Sequence, residues 1–203
     1  GNVYVCWRRF ADVGANNGIW FSRSIDGGVT FTGAQKLSGT NTQGCQVAVG
    51  PSGEVYVAWM RGFGAGNNMF IRKSVDQGVT FGGAVNVAPW TETEPVQSCG
   101  AGNNRTVFVD SDTSGGRVPS KFAIREQHHP TLAVNPLNSH VYLSWHGGIN
   151  GGSRADILFS KSTNGGTSWS APSRVNSTAT GDQFFPAMEV NLQGRIKILY
   201  YST

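Results

Sequence analysis

The sequence predicts an all-β fold: a β-propeller, or part of one, built from four-stranded antiparallel blades. Three observations predict it. The turn pattern Ser-x-Asp/Asn-x-Gly-x-Thr/Ser-aromatic occurs three times, over 24–31, 74–81 and 162–169. A β-branched strand pattern ending in an aromatic residue recurs every fifty or so positions. The composition has 28 Gly and only 14% charged residues, which suits strands and turns and excludes a helical bundle or a disordered tail.

The turn pattern has a physical basis. Its copies are Ser24, Asp26, Gly28, Thr30 and Phe31; then Ser74, Asp76, Gly78, Thr80 and Phe81; then Ser162, Asn164, Gly166, Ser168 and Trp169. A short Asp or Asn side chain accepts hydrogen bonds from backbone N–H groups of its own loop, and Gly supplies a positive φ. The Ser and Thr hydroxyls close the turn from its flanks, and the aromatic tucks beneath it. Each copy follows an apolar run (19–21, 69–71, 157–159), so each reads as a hairpin turn.

The second repeat is Gly1 to Trp7, returning as Gly53 to Trp59, Ser139 to Trp145 and, more weakly, Gly194 to Tyr200. Before three of these lies another short strand with a tight turn, at 46–49, 131–134 and 187–190. After each turn pattern comes a fourth short segment, at 34–37, 84–87 and 173–175. One unit therefore reads strand A, turn, strand B, loop, strand C, turn pattern, strand D. Trp7 to Trp59 is 52 positions and Trp145 to Tyr200 is 55, the period of a four-stranded propeller blade. Trp7, Trp59 and Trp145 hold equivalent positions and read as core between blades. The interval from Trp59 to Trp145 is 86, and the excess falls in 89–128. Strand-like runs at 106–109 and 121–124 make that segment a degenerate blade or an insertion carrying a hairpin, the insertion being favoured. One region spans 1–203, with about four blades at most. Closed propellers usually need more. A piece of a longer polypeptide is the plainer expectation, and a partial propeller completed by another copy is the alternative.

Several function classes fall away. No apolar run approaches the ~20 residues of a membrane span. The net charge is +4 with the basic residues scattered, whereas nucleic-acid binding wants a concentrated basic face. Three cysteines are too few for a disulfide scaffold. Cys6 reads as a small core residue, and a single bridge between Cys45 and Cys99 is open. Asn104 and Asn176 begin glycosylation sequons, which are frequent by chance.

Antiparallel order decides which face can do chemistry. The A–B and C–D turns leave each sheet at one end, and the B–C and D–A loops leave at the other. The B–C loops run 8–18, 60–68 and 146–155; the D–A loops run 38–44, 89–128 and 176–185. These longer loops carry most of the ionisable residues outside the strands, and function gathers on such loops.

The three turns resemble the Asp box of the sialidase-like (bacterial neuraminidase repeat) propellers. In that family the boxes are structural, and the resemblance covers nearly the whole chain. It implies an extracellular or cell-surface propeller that acts on or binds glycans, an exo-glycosidase of acidic sugars if catalytic. Such enzymes grip the sugar carboxylate with three arginines. They use a Tyr–Glu pair as nucleophile and an Asp as acid/base. The substrate-binding candidates are therefore Arg8, Arg61, Arg117 and Arg154, and the catalytic candidates Asp12, Asp182 and Glu94. Arg117-Val118-Pro119 is nearest to the family's arginine motif, with Gly116 in place of its aromatic. No Tyr lies in the long loops; Tyr200 and Tyr201 end a strand.

The resemblance requires no cofactor. Asp110, Asp112 and Ser114 have the alternate-oxygen spacing of a calcium loop, but Lys121 stands where that motif has Glu. An ordinary polar turn is the plainer reading. His128, His129, His140 and His146 show no metal-ligand spacing with acidic partners. Two readings of function remain: a glycan-directed propeller, and a non-catalytic one for structure, adhesion or protein binding. Its partners are a glycan or glycoconjugate, with self-association to complete the ring as a further expectation.

Overall fold

A computed structural model describes residues 1–10, 16–62, 67–90, 129–148, 155–177 and 180–202, together with two short strands, 106–108 and 123–125. The described chain is all-β, without an α-helix. The first sheet contains β1 (Val3–Arg9), β2 (Gly18–Ser24) and β3 (Gln35–Lys36). The second contains β4 (Thr42–Val49), β5 (Val55–Arg61), β6 (Asn68–Ser74) and β7 (Val85–Pro89). A separate hairpin pairs β8 (Thr106–Phe108) with β9 (Ala123–Arg125). The next four-stranded sheet is β10 (Thr131–Val134), β11 (Val141–Gly147), β12 (Asp156–Ser162) and β13 (Ser173–Arg174). The last pairs β14 (Gln183–Val190) with β15 (Ile196–Ser202). All pairings are antiparallel between sequence neighbours, the meander of propeller blades.

Strand alternation turns each middle blade into a two-faced wall. Val55, Val57 and Trp59 of β5 pack with Ile19, Phe21 and Leu37 of the first blade. Tyr56, Ala58 and Met60 point the other way and pack with Leu132, Val141, Leu143 and Trp145. The two four-stranded sheets thus share one core directly, with 89–128 joining them in sequence. A third cluster joins Ala133 and Tyr142 to Met188 of the last blade.

Trp59 and Trp145 are buried core, as their strand positions predict, but Trp7 is 37% exposed. Trp7 lies on the face of β1 opposite Tyr4 and Cys6, and those two face the second blade. Among the described residues no sheet covers that outer face. The outward side of β15 is likewise open at Leu199 and Tyr201.

The three turns are closed by their own side chains. Asp26 Oδ1 accepts the Thr30 N–H at 2.9 Å and the Ser24 hydroxyl at 2.6 Å, and Oδ2 accepts the Thr30 hydroxyl at 2.6 Å. Ser24 Oγ accepts the Gly28 N–H at 2.9 Å. Asp76 repeats this set with Ser74 and Thr80. Asn164 reproduces it as an amide, accepting the Ser168 N–H at 2.9 Å and donating from Nδ2 to the Ser168 hydroxyl at 2.8 Å.

The second turn also docks its blade onto the first. Gln35 Nε2 of the first blade donates to the Gly78 carbonyl at 3.0 Å, and Arg23 Nη1 donates to the Gln77 carbonyl at 3.1 Å. Phe81 meets Phe21 edge-on, with ring centroids 4.8 Å apart. Gly78 has φ +82°, and a Cβ there would lie 2.8 Å from Phe21 Cζ. Gly78→Ala thus combines left-handed strain with overpacking and is expected to cost about 2–4 kcal/mol in denaturant unfolding. Gly83→Ala, with nothing within 4 Å of its added Cβ, is the control and should change stability by less than about 0.5 kcal/mol.

These hydrogen bonds set an acid limit. The Ser24 hydroxyl, then the Thr30 hydroxyl and N–H, hold the Asp26 carboxyl well below the ordinary carboxylate range, and Ser74 and Thr80 do so for Asp76. The unfolded chain takes up these protons first, near pH 4. The stabilisation is therefore fully present above that pH and is lost as pH falls towards the folded values. Melting temperature should fall steeply below pH 4. The Asp26→Asn/Asp76→Asn double variant should show a shallower decline, because Asn164 already occupies the same turn. Identical declines would contradict this account.

The cysteine reading needs correction. Cys6 of β1 and Cys45 of β4 form a disulfide, with Cα atoms 6.2 Å apart. Cys45 lies in a strand, because β4 begins at Thr42 and passes through a bulge between Gln43 and Gln46. Both residues sit where the first two blades face each other. Cys99 lies outside the described residues.

Candidate functional site

β4, β10 and β14, the strands that open the last three blades, adjoin one another, β10 packing against both β4 and β14. Counting back two positions from the paired residues Gln46, Thr131 and Ala187 reaches Gly44, His129 and Phe185, at the end opposite the Ser-x-Asp/Asn turns; His129 stands just before β10 begins. Two of these points carry irregular backbone. Gly44 has φ +61° beside the β4 bulge, and Phe185 has φ +52° at the bulge between Phe184 and Ala187. Positive φ is costly for an aromatic residue and marks a constrained point. Gly44 leaves no room for a Cβ, because the His129 ring lies against it. Phe185 meets buried His146 edge-on, at 5.7 Å between centroids.

A concavity of about 570 Å³ opens beside these strands, lined by Gln46, His129, Thr131, Phe185, Glu189 and Lys197 among others. Glu189 and Lys197 are cross-strand partners in the β14–β15 register. The Thr131 hydroxyl accepts the Met188 N–H at 3.2 Å, tying β10 to β14. Partial desolvation, and secondarily nearby His146, hold the His129 imidazole below its ordinary range. His129 is therefore neutral at pH 7, a group able to accept a hydroxyl proton. A cation, an anion, a neutral imidazole and an aromatic edge in one open depression suit a polyhydroxylated ligand.

The sequence candidates fall in several places. Asp182 Oδ1 accepts the Ala155 N–H at 2.9 Å and pins two loops together. Asn176 continues that network, accepting the Ile157 N–H at 2.8 Å and donating to Asp156 Oδ1 at 2.8 Å and to Gln183 Oε1 at 3.0 Å. Asn176 is 3% exposed and serves as a buried polar anchor. The Arg8 guanidinium stacks over Phe10 at 4.5 Å, and burial lowers its pKa. Arg61 lies over the Phe70 ring at 6.0 Å, in a second cavity between the first two blades. Neither Arg8 nor Arg61 lines the axial concavity. Asp12, Glu94, Arg117 and Arg154 lie outside the described residues, as do Asp110, Asp112 and Ser114. Among the described residues no group of three His, Cys, Asp or Glu side chains could hold a metal ion. Glu189 and Lys197 went unnoticed in the sequence because they stand in strands rather than loops. Their signal was a charged pair in a short two-stranded unit.

No family model matches this chain, and no curated protein sequence matches it. Solved structures do. An endo-arabinase from Bacteroides thetaiotaomicron VPI-5482 is similar with TM-score 0.51 and 14% identity, over 91% of this chain and 61% of that one. A polysaccharide lyase, an ulvan lyase bound to -[GlcA(1-4)Rha3S]-, is similar with TM-score 0.56 and 12% identity, over 100% of this chain and 49% of that one. A Hadza microbial sialidase reaches TM-score 0.46 and 11% identity, over 87% of this chain and 39% of that one. The chain thus spans between 39% and 61% of these three structures. At such identities the likeness is one of fold.

Proposed function

We propose that this chain is the glycan-binding part of a β-propeller, with the saccharide seated in the axial concavity. The observation that carries the reading is the placement of His129, Thr131, Phe185, Glu189 and Lys197 around one open depression, which runs along β14 from its loop end at Phe185 to Glu189 near the β14–β15 turn. Similarity of fold to glycan-acting enzymes supports it. Lys197 gives the depression a cation for a sugar carboxylate or sulfate, hence a preference for acidic saccharides. The Cys6–Cys45 bridge suits an oxidising compartment, in keeping with an extracellular or cell-surface protein.

Glycoside hydrolysis is the finer reading. It needs two carboxylates roughly 5–9 Å apart. Glu189 is the one carboxylate lining the concavity among the described residues. Binding is therefore the conclusion, and an exo-glycosidase acting on acidic sugars is the extension that a turnover assay decides. The test is calorimetric titration with sialyllactose, lactose and a uronic-acid oligosaccharide, followed by an assay for released terminal sugar. The acidic ligands should bind more tightly than lactose, and the advantage should shrink with salt and vanish in Lys197→Gln. Absence of binding to all three would overturn the proposal.

A further inference from the structure

The cavity between the first two blades has its own chemistry, apart from the axial depression. It measures about 320 Å³ and is lined by Ser38 and Thr40 from the inter-blade loop and by Thr42, Trp59, Arg61, Phe70 and Arg72 from the second blade. Trp59 and Phe70 stack with centroids 6.3 Å apart and form its floor. The β5–β6 register pairs Trp59 with Phe70, Val57 with Arg72 and Arg61 with Asn68. Arg61 and Arg72 therefore flank the aromatic pair on one face of the sheet.

The loop wall is firmly built. Ser38 Oγ accepts the Ile19 N–H at 2.7 Å and lies 2.7 Å from Thr42 Oγ1, while the Asn41 carbonyl accepts the Gly62 N–H at 3.0 Å. The cations are less well served. Arg72 Nε is buried with no hydrogen-bond partner. Among the described residues the ion pair joins Arg174 to Asp156, at 4.0 Å, and does not involve either cavity arginine. Two guanidiniums in one cavity without a carboxylate repel each other, and a buried donor without an acceptor is unfavourable. An anion with several acceptor oxygens corrects both.

We propose that this cavity is a second binding site, taking a carboxylate or sulfate group carried on a saccharide, held between Arg61 and Arg72 with the sugar towards the Ser38–Thr42 loop. It does not depend on the axial reading. The test is calorimetric titration of the protein with inorganic sulfate, glucuronic acid and glucose, each repeated on Arg72→Gln, Arg61→Gln and Lys197→Gln. Glucuronic acid should bind, and each arginine variant should weaken it roughly thirtyfold or more. Lys197→Gln, at the axial concavity, should leave this component unchanged. Glucose should not bind here. Sulfate binding as tightly as glucuronic acid would overturn the saccharide part and leave a simple anion site. Absence of glucuronic acid binding, or equal binding by wild type and both arginine variants, would overturn the site. Arg61 is exposed at a strand end, so Arg61→Gln keeps the test decisive should Arg72→Gln fail to fold.

Discussion

Replacing Trp145 by Ala should lower the free energy of unfolding by roughly 3–5 kcal/mol, the range for truncating a buried aromatic. Trp145 is fully buried, and its cluster spans two blades, with Tyr56, Ala58, Met60 and Met69 on one side and Leu132 and Leu143 on its own. A cavity there empties the seam that holds two sheets face to face, and neither sheet can collapse into it without leaving its other neighbour. Trp145 Nε1 is buried with no acceptor. Trp145→Phe discards that orphan donor and keeps a ring, so it should cost less than half as much. Trp7→Ala is the internal comparison. The same strand position, 37% exposed, should cost roughly 1 kcal/mol or less. Urea unfolding of the three variants checks the set. Equal losses at Trp7 and Trp145 would contradict the two-faced packing.

Breaking the Cys6–Cys45 bridge should have an effect of similar size. The cysteines are 39 positions apart, and closing a loop of that length in the unfolded chain accounts for roughly 4 kcal/mol by chain entropy. The bridge ties β1 to β4, so its loss loosens the seam between the first two blades. The Cys6→Ser/Cys45→Ser variant should unfold at lower denaturant and bind glucuronic acid less well in the adjoining cavity. Peptide mapping of the unreduced protein should recover Cys6 joined to Cys45. A Cys45–Cys99 peptide would contradict the assignment.

The turns were legible in the sequence because their chemistry is local. Ser24, Asp26 and Thr30 need no distant partner to close their hydrogen bonds, so the spacing alone specifies the geometry. Strand B was legible because burial on both faces demands a continuous apolar run, as in Val55 to Met60. Pairing of Cys6 was not, because it depends on which strand of the next blade faces β1. That follows from a bulge at Gly44, which gives only a faint signal. Arg8 and Arg61 read as equivalent loop cations, yet they occupy opposite phases of strand B: Arg8 aligns with Met60 and Arg61 with Gly147. Counting from the tryptophans would have separated them. Arg72, two positions from Phe70 and so on the same face of β6, was visible by the same count. Asp182 reads as a catalytic acid by residue type, and only its placement against the Ala155 N–H reveals a loop anchor.

The most direct test of the central claim, that the concavity beside β10 and β14 holds the ligand, is amide hydrogen exchange with and without a saturating uronic-acid oligosaccharide. Protection is predicted at 129–131 and 183–189, around the axial concavity, with no change in the turns at 24–31, 74–81 and 162–169. Protection of those turns, with 129–131 and 183–189 unaltered, would place the ligand at the turns and contradict the account.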